Sequence, residues 1–80
     1  MYFVDILRSI SYPDQTYVGF TESVDARLRK HNEGGSVSTA RYCSWKLVFY
    51  CAFEDKFRAL AFETYLKSHS GKAFSAKRLL

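Results

Sequence analysis

Two segments near the amino terminus, YFVDILRS (2–9) and QTYVGFT (15–21), consist largely of β-branched and aromatic residues. They flank ISYPDQ, where Pro13 and Asp14 supply turn chemistry, so the chain must open with an antiparallel hairpin whose connection exceeds a two-residue turn. Period-2 alternation sorts its faces. Val4 and Ile6 go with Val18 and Phe20, and Asp5 goes with Tyr17 and Gly19. An acid and a phenol therefore share one face.

The second strand runs almost directly into ESVDARLRKHN (22–32), which reads as a helix. Thr21 or Ser23 is its N-cap, Glu22 and Asp25 fall in its first turn, and Arg29, Lys30 and His31 in its last. Asn32 and the pair Gly34–Gly35 stop it. Val24, Leu28 and His31 fall at helical spacing and Arg27 lies four residues before His31, so guanidinium and imidazole border the apolar stripe. A polar loop, NEGGSVSTARYCS, leads to WKLVFYCAF (45–53), a third strand apolar on both faces and expected to be well covered. DKFRALAFETYLKSHSG then reads as a long helix with Asp55 as N-cap and Gly71 as its stop. KAFSAKRLL is a short last helix. The sum is an α+β fold: a small three-stranded antiparallel sheet flanked by helices, in the order β-β-α-β-α-α.

Eighty residues, 48 % of them hydrophobic and 18 % aromatic, suffice for one core and one domain, 1–80. Cys43 and Cys51 show no metal-ligand spacing and read as reduced core thiols. The start MYFVDILRS lacks a signal-peptide pattern, and LVFYCAF is too short to span a bilayer, so a cytoplasmic protein without membrane attachment is expected. The net charge of +4 favours an anionic partner. Its distribution is uneven: no acid follows Glu63, whereas Lys67, Lys72, Lys77 and Arg78 do. These four are the candidate phosphate contacts.

Taken singly, the polar residues of these elements have ordinary explanations. Tyr17 on a strand is most often a packed aromatic, Arg27 a snorkelling surface residue, and His31 a partner of the helix dipole. Glu63 is harder to explain, because an unpaired carboxylate among Leu60, Phe62 and Leu66 is costly unless it reaches solvent, a cation or a metal.

The ordered set FVDILRS, TYVGFTESVDARLRKHN, STARYCSWKLVFYCAF, RALAFETYLKS and SGKAFSAKRL resembles the GIY-YIG nuclease superfamily, specifically its short stand-alone bacterial members. The likeness covers nearly the whole chain. It implies that Tyr17 is the tyrosine of the second name-giving motif, with Val18 and Gly19 completing it. Arg27 takes the place of the catalytic arginine, His31 of the histidine that follows, and Glu63 of the metal-binding glutamate. It further implies a DNA endonuclease acting on structured or damaged DNA, with Mg²⁺ or Mn²⁺ and no other small-molecule cofactor. The first motif departs, reading VDIL with Asp5 where a tyrosine is usual. Ser38 stands where many relatives carry a histidine.

The chemistry of these residue types agrees. Phosphodiester cleavage requires a nucleophilic water, a group to take its proton, positive charge for the transition state and stabilisation of the leaving oxygen. Glu63 offers an anchor for a hydrated hard cation, Arg27 a planar fork for phosphate oxygens, Tyr17 a proton acceptor if the metal and Arg27 favour its phenolate, and His31 a second acid-base or phosphate-contacting group. Asp5 either adds a second metal ligand or pairs with Arg27 and occupies the fork meant for phosphate. The latter is the expectation. The alternative to an active nuclease is a catalytically weakened nucleic-acid-binding or protein-interaction module of the same fold.

Overall fold

A computed structural model describes residues 1–34 and 37–80, with the side chains of residues 37 and 38 excepted. Gly35 and the Ser38 side chain thus lie outside the described residues. The strands are β1 (Tyr2–Ser9), β2 (Thr16–Thr21) and β3 (Trp45–Phe53). The helices are α1 (Val24–Asn32), α2 (Val37–Ala40), α3 (Lys56–Lys67) and α4 (His69–Arg78). All strand pairings are antiparallel, in the spatial order β2-β1-β3.

The hairpin register places Asp5 opposite Gly19, Leu7 opposite Tyr17, Val4 opposite Phe20 and Ile6 opposite Val18. One face of the sheet thus carries Val4 and Ile6, which pack with Ala59 and Leu66 of α3 to form the core. Each of the larger aliphatic side chains, with almost no exposed surface, contributes about 1.5–3 kcal/mol by burial. The opposite face carries Asp5 and Leu7 and is closed by α1 and the segment leading into β3. Between Ile6 and Leu7 the pairing with β3 slips: Ile6 faces Phe49 but Leu7 faces Leu47, leaving Val48 as the extra residue of a bulge.

Three sequence expectations change here. β3 is apolar on both faces yet poorly covered, with Tyr50 55 % exposed, because β1 takes the central place and leaves β3 at an edge. The loop after α1 contains a single helical turn, α2. Gly71 does not stop a helix: α3 already ends at Lys67, and Ser68 both closes it and caps α4 by accepting from the Gly71 amide. Gly71 instead lies buried in the first turn of α4, where a Cβ would run into the Tyr65 carbonyl. The residue is small because two helices meet there.

The caps of α1 and α3 follow local chemistry. Ser23 accepts from the Ala26 amide, and Asp55 accepts from Phe57. Past α1, Gly34 takes φ +74°, the left-handed conformation that favours glycine. Both cysteines are free thiols. Among the described residues, no helix is long and apolar enough to cross a membrane.

Candidate active site

Asp5, Tyr17, Arg27 and His31 converge where α1 crosses the hairpin. The strand register brings Asp5 beside Gly19, and Gly19 lacks the atom that would keep α1 away: a Cβ there would overlap the Arg27 guanidinium. Arg27 therefore lies against the strand backbone and reaches Asp5, its Nε donating to Oδ1 at 2.8 Å and Oδ2 at 3.0 Å. The side chains are 12 % and 0 % exposed, so this is a buried ion pair.

Arg27 Nη1 also lies 2.9 Å from His31 Nε2. A guanidinium has only donors, so Nε2 must present its lone pair. The proton then resides on Nδ1, which donates to Thr39 Oγ1 at 2.6 Å. His31 is thereby fixed as one neutral tautomer. Burial pushes it below its ordinary 6.5, and the charges of Arg27 and Lys30 act in the same direction. For Asp5, burial pushes the carboxyl above its ordinary 3.8, outweighing the hydrogen bond and charge of Arg27; the negative charge of Glu63 adds a smaller upward push.

Tyr17 completes the group. Its ring centre is 5.2 Å from that of His31, and Arg27 Cζ stands over it at 5.2 Å, within cation–π range. Trp45 meets Tyr17 edge-on at 6.4 Å. Trp45 is itself pinned from three sides: its amide donates to Asn32 Oδ1, its carbonyl accepts from Asn32 Nδ2, and its indole N–H donates to the Thr39 carbonyl. The last residue of α1 thus clamps the start of β3 and sets the distance between His31 and the sheet. Tyr17, Arg27, Lys30 and His31 line a cavity of about 450 Å³. Arg27 Nη2 is buried and has no hydrogen-bond partner among the described residues, a cost of about 1–3 kcal/mol unless a ligand satisfies it.

The GIY-YIG catalytic domain family model matches residues 1–78. The chain belongs to this family. Among curated relatives, the GIY-YIG chain is 37 % identical over 62 residues to "Structure-specific endonuclease subunit SLX1 homolog" of Giardia intestinalis, covering 72 % of this chain and 17 % of the relative. It is 38 % identical over 71 residues to "Structure-specific endonuclease subunit SLX1" of Malassezia globosa, covering 82 % and 16 %. It is also 42 % identical over 52 residues to "UPF0213 protein" of Lacticaseibacillus paracasei, covering 64 % and 58 %. The chain thus spans about a sixth of the length of the first two and over half of the third.

Within the GIY-YIG fold, the remaining sequence candidates separate. Glu63 is not an unpaired carboxylate. Lys67, one helical turn on, lies 3.2 Å from it, and Glu63 keeps 19 % of its side chain exposed. The same pair was readable as an i,i+4 acid–base spacing. Val18 sits on the opposite sheet face, packed against the core. Lys67 and Lys72 line a second cavity, described below, whereas Lys77 and Arg78 occupy the exposed last turn of α4 and line neither. Thr39 and Trp45, which hold the site in shape, carried no signal of that role, and Asn32 was readable only as a helix stop.

Among the described residues, no cluster of three or more His, Cys, Asp or Glu side chains could cage a metal. The donor set instead fits a hydrated hard cation held by one carboxylate. Glu63 reaches solvent, while both Asp5 oxygens are taken by Arg27.

Proposed function

We propose that this GIY-YIG chain is a divalent-metal-dependent endonuclease that hydrolyses phosphodiester bonds in structured DNA. The observation that carries the reading is the Arg27 guanidinium, held on one side by Asp5, oriented on another by His31, and left with an unpartnered Nη2 beside Tyr17. The family supports nuclease chemistry, and the names of two relatives, structure-specific endonuclease subunits, support structured substrates.

In this reading Arg27 binds a non-bridging phosphate oxygen and stabilises the charge that develops on it. His31 acts as a positioning residue, since both its nitrogens are already engaged and its neutral tautomer aims Nη1. The hydroxyl of Tyr17, beside the Arg27 guanidinium, orients the attacking water. Glu63, exchanging Lys67 for Mg²⁺ or Mn²⁺, anchors the metal. When bound, the metal supplies Lewis-acid activation of water and neutralises charge on the leaving oxygen.

A second reading is favoured by the two internal ion pairs. Asp5–Arg27 and Glu63–Lys67 tie both charged groups to the protein itself, as expected of a slow nuclease or of a module that binds DNA without cutting it. One experiment separates the two: incubation of the purified chain with duplex, branched and single-stranded DNA in Mg²⁺, in Mn²⁺ and in EDTA. Metal-dependent nicking of branched DNA that disappears in Glu63→Gln, with DNA binding retained, is the expected result. Salt-sensitive binding without product in any metal would establish the binding module instead.

A further inference from the structure

On the other side of Tyr17 lies a larger cavity of about 610 Å³, bounded by the hairpin turn, β2, the end of α3 and α4. Tyr17 on the edge strand lines both cavities, but Ile6, Arg8, Thr16 and Val18 place this one on the core face of the sheet, across from the face that carries Asp5 and Arg27. Its size lies within the range of small-molecule sites. Three cations, Arg8, Lys67 and Lys72, line it against one carboxylate, Asp14, which selects for an anion. Val18 and the exposed Leu80 give it apolar walls suited to a flat, uncharged group.

Arg8 supplies the deciding detail. By strand alternation it follows Val4 and Ile6 on the core face, a place where arginine is expensive without a partner. Its Nε is buried and has no hydrogen-bond partner among the described residues. Each of the two cavities is therefore lined by an arginine with an unsatisfied guanidinium nitrogen, Arg27 in one and Arg8 in the other.

We propose that this second cavity is a nucleotide subsite: Arg8, Lys67 and Lys72 take a phosphate, and the base or sugar lies against Val18 and Leu80. The binding of a nucleotide here does not rest on the DNA-cutting reading.

The test is a titration of the ¹⁵N-labelled chain in EDTA with thymidine 5′-monophosphate, thymidine and inorganic phosphate, followed by amide shifts. Saturable shifts at Arg8, Thr16 and Lys72 are expected with the monophosphate, and much weaker ones with either fragment. Arg8→Met keeps the apolar stem and removes the donors, so affinity should fall about tenfold, the loss of one charge-assisted hydrogen bond. Lys72→Ala, at an exposed helical position that does not threaten the fold, should weaken binding severalfold. Unaltered affinity in Arg8→Met and Lys72→Ala, or shifts confined to Arg27 and His31, would overturn the subsite. A chain that binds the monophosphate at Arg8 but never cuts DNA would sink the nuclease reading alone; a cutting chain indifferent to both substitutions would sink the subsite alone.

Discussion

Arg27→Met perturbs the most consequential contact in the molecule. Methionine keeps the aliphatic stem but deletes the guanidinium, leaving Asp5, which has no exposed surface, with two unpaired oxygens. Removing one partner of a buried pair costs about 3–5 kcal/mol, a large share of the roughly 5–15 kcal/mol that stabilises a domain. At about 4–8 °C per kcal/mol for a chain of this size, Tm should fall by at least about 12 °C at pH 7. The deficit should shrink on acidification. Asp5 is already raised by burial, and without Arg27 it rises further; a carboxyl whose folded value exceeds its unfolded one is tolerated below the unfolded value and costs stability as pH climbs through the folded one. Asp5→Leu combined with Arg27→Met removes both charges and should restore most of the loss. Urea melts of the single and double variants at pH 7 and pH 5 measure all three quantities. An Arg27→Met variant within about 0.5 kcal/mol of wild type, or a double variant no more stable than the single, would refute the reasoning.

Gly19→Ala should leave the sheet intact while expelling the Arg27 guanidinium, lowering nicking about a hundredfold; a wild-type rate would show that Arg27 need not lie against the strand. Gly71→Ala directs a methyl group into the Tyr65 carbonyl and should cost about 3 kcal/mol in urea unfolding, whereas a helix stop replaced by alanine would cost far less. Because burial holds His31 below its unfolded value, its contribution is complete above about pH 6.5 and is lost as pH falls from there, at up to about 1.4 kcal/mol per pH unit. His31→Asn should therefore flatten the dependence of Tm on pH between 7 and 5, and an unchanged profile would count against the neutral tautomer.

The parts of this fold that were legible in the sequence are those that local rules decide. Alternation placed Asp5 on one face with Tyr17 and Gly19, and Val4 and Ile6 on the other with Val18 and Phe20, as the register bears out; Asp55 was readable as the cap of α3, and Ser23 was one of two candidates for α1. Gly71 misled because glycine after a helical run reads as a terminus, whereas its actual constraint is a neighbouring helix brought close by the turn at Ser68. The apolar run of β3 misled because coverage depends on strand order, which no segment encodes by itself. In the candidate site, the spacing of Arg27 and His31 was visible and the pairing of Asp5 with Arg27 was expected and is found, whereas the bond from His31 to Thr39 required the packed structure. Arg8 carried a readable signal, a cation at the next core-face position after Val4 and Ile6.

The central claim is that the hydroxyl of Tyr17 takes part in cutting a phosphodiester. Among the described residues no hydrogen bond engages that hydroxyl, while the ring contacts His31, Arg27 and Trp45, so Tyr17→Phe removes one oxygen and leaves the packing in place. The measurement is the single-turnover rate of metal-dependent nicking of a branched DNA by wild type and Tyr17→Phe, with DNA affinity determined in parallel. A fall of about a hundredfold or more at unchanged affinity is the expected result. Equal rates in the two proteins would contradict it and leave Tyr17 as a packed aromatic between two cavities.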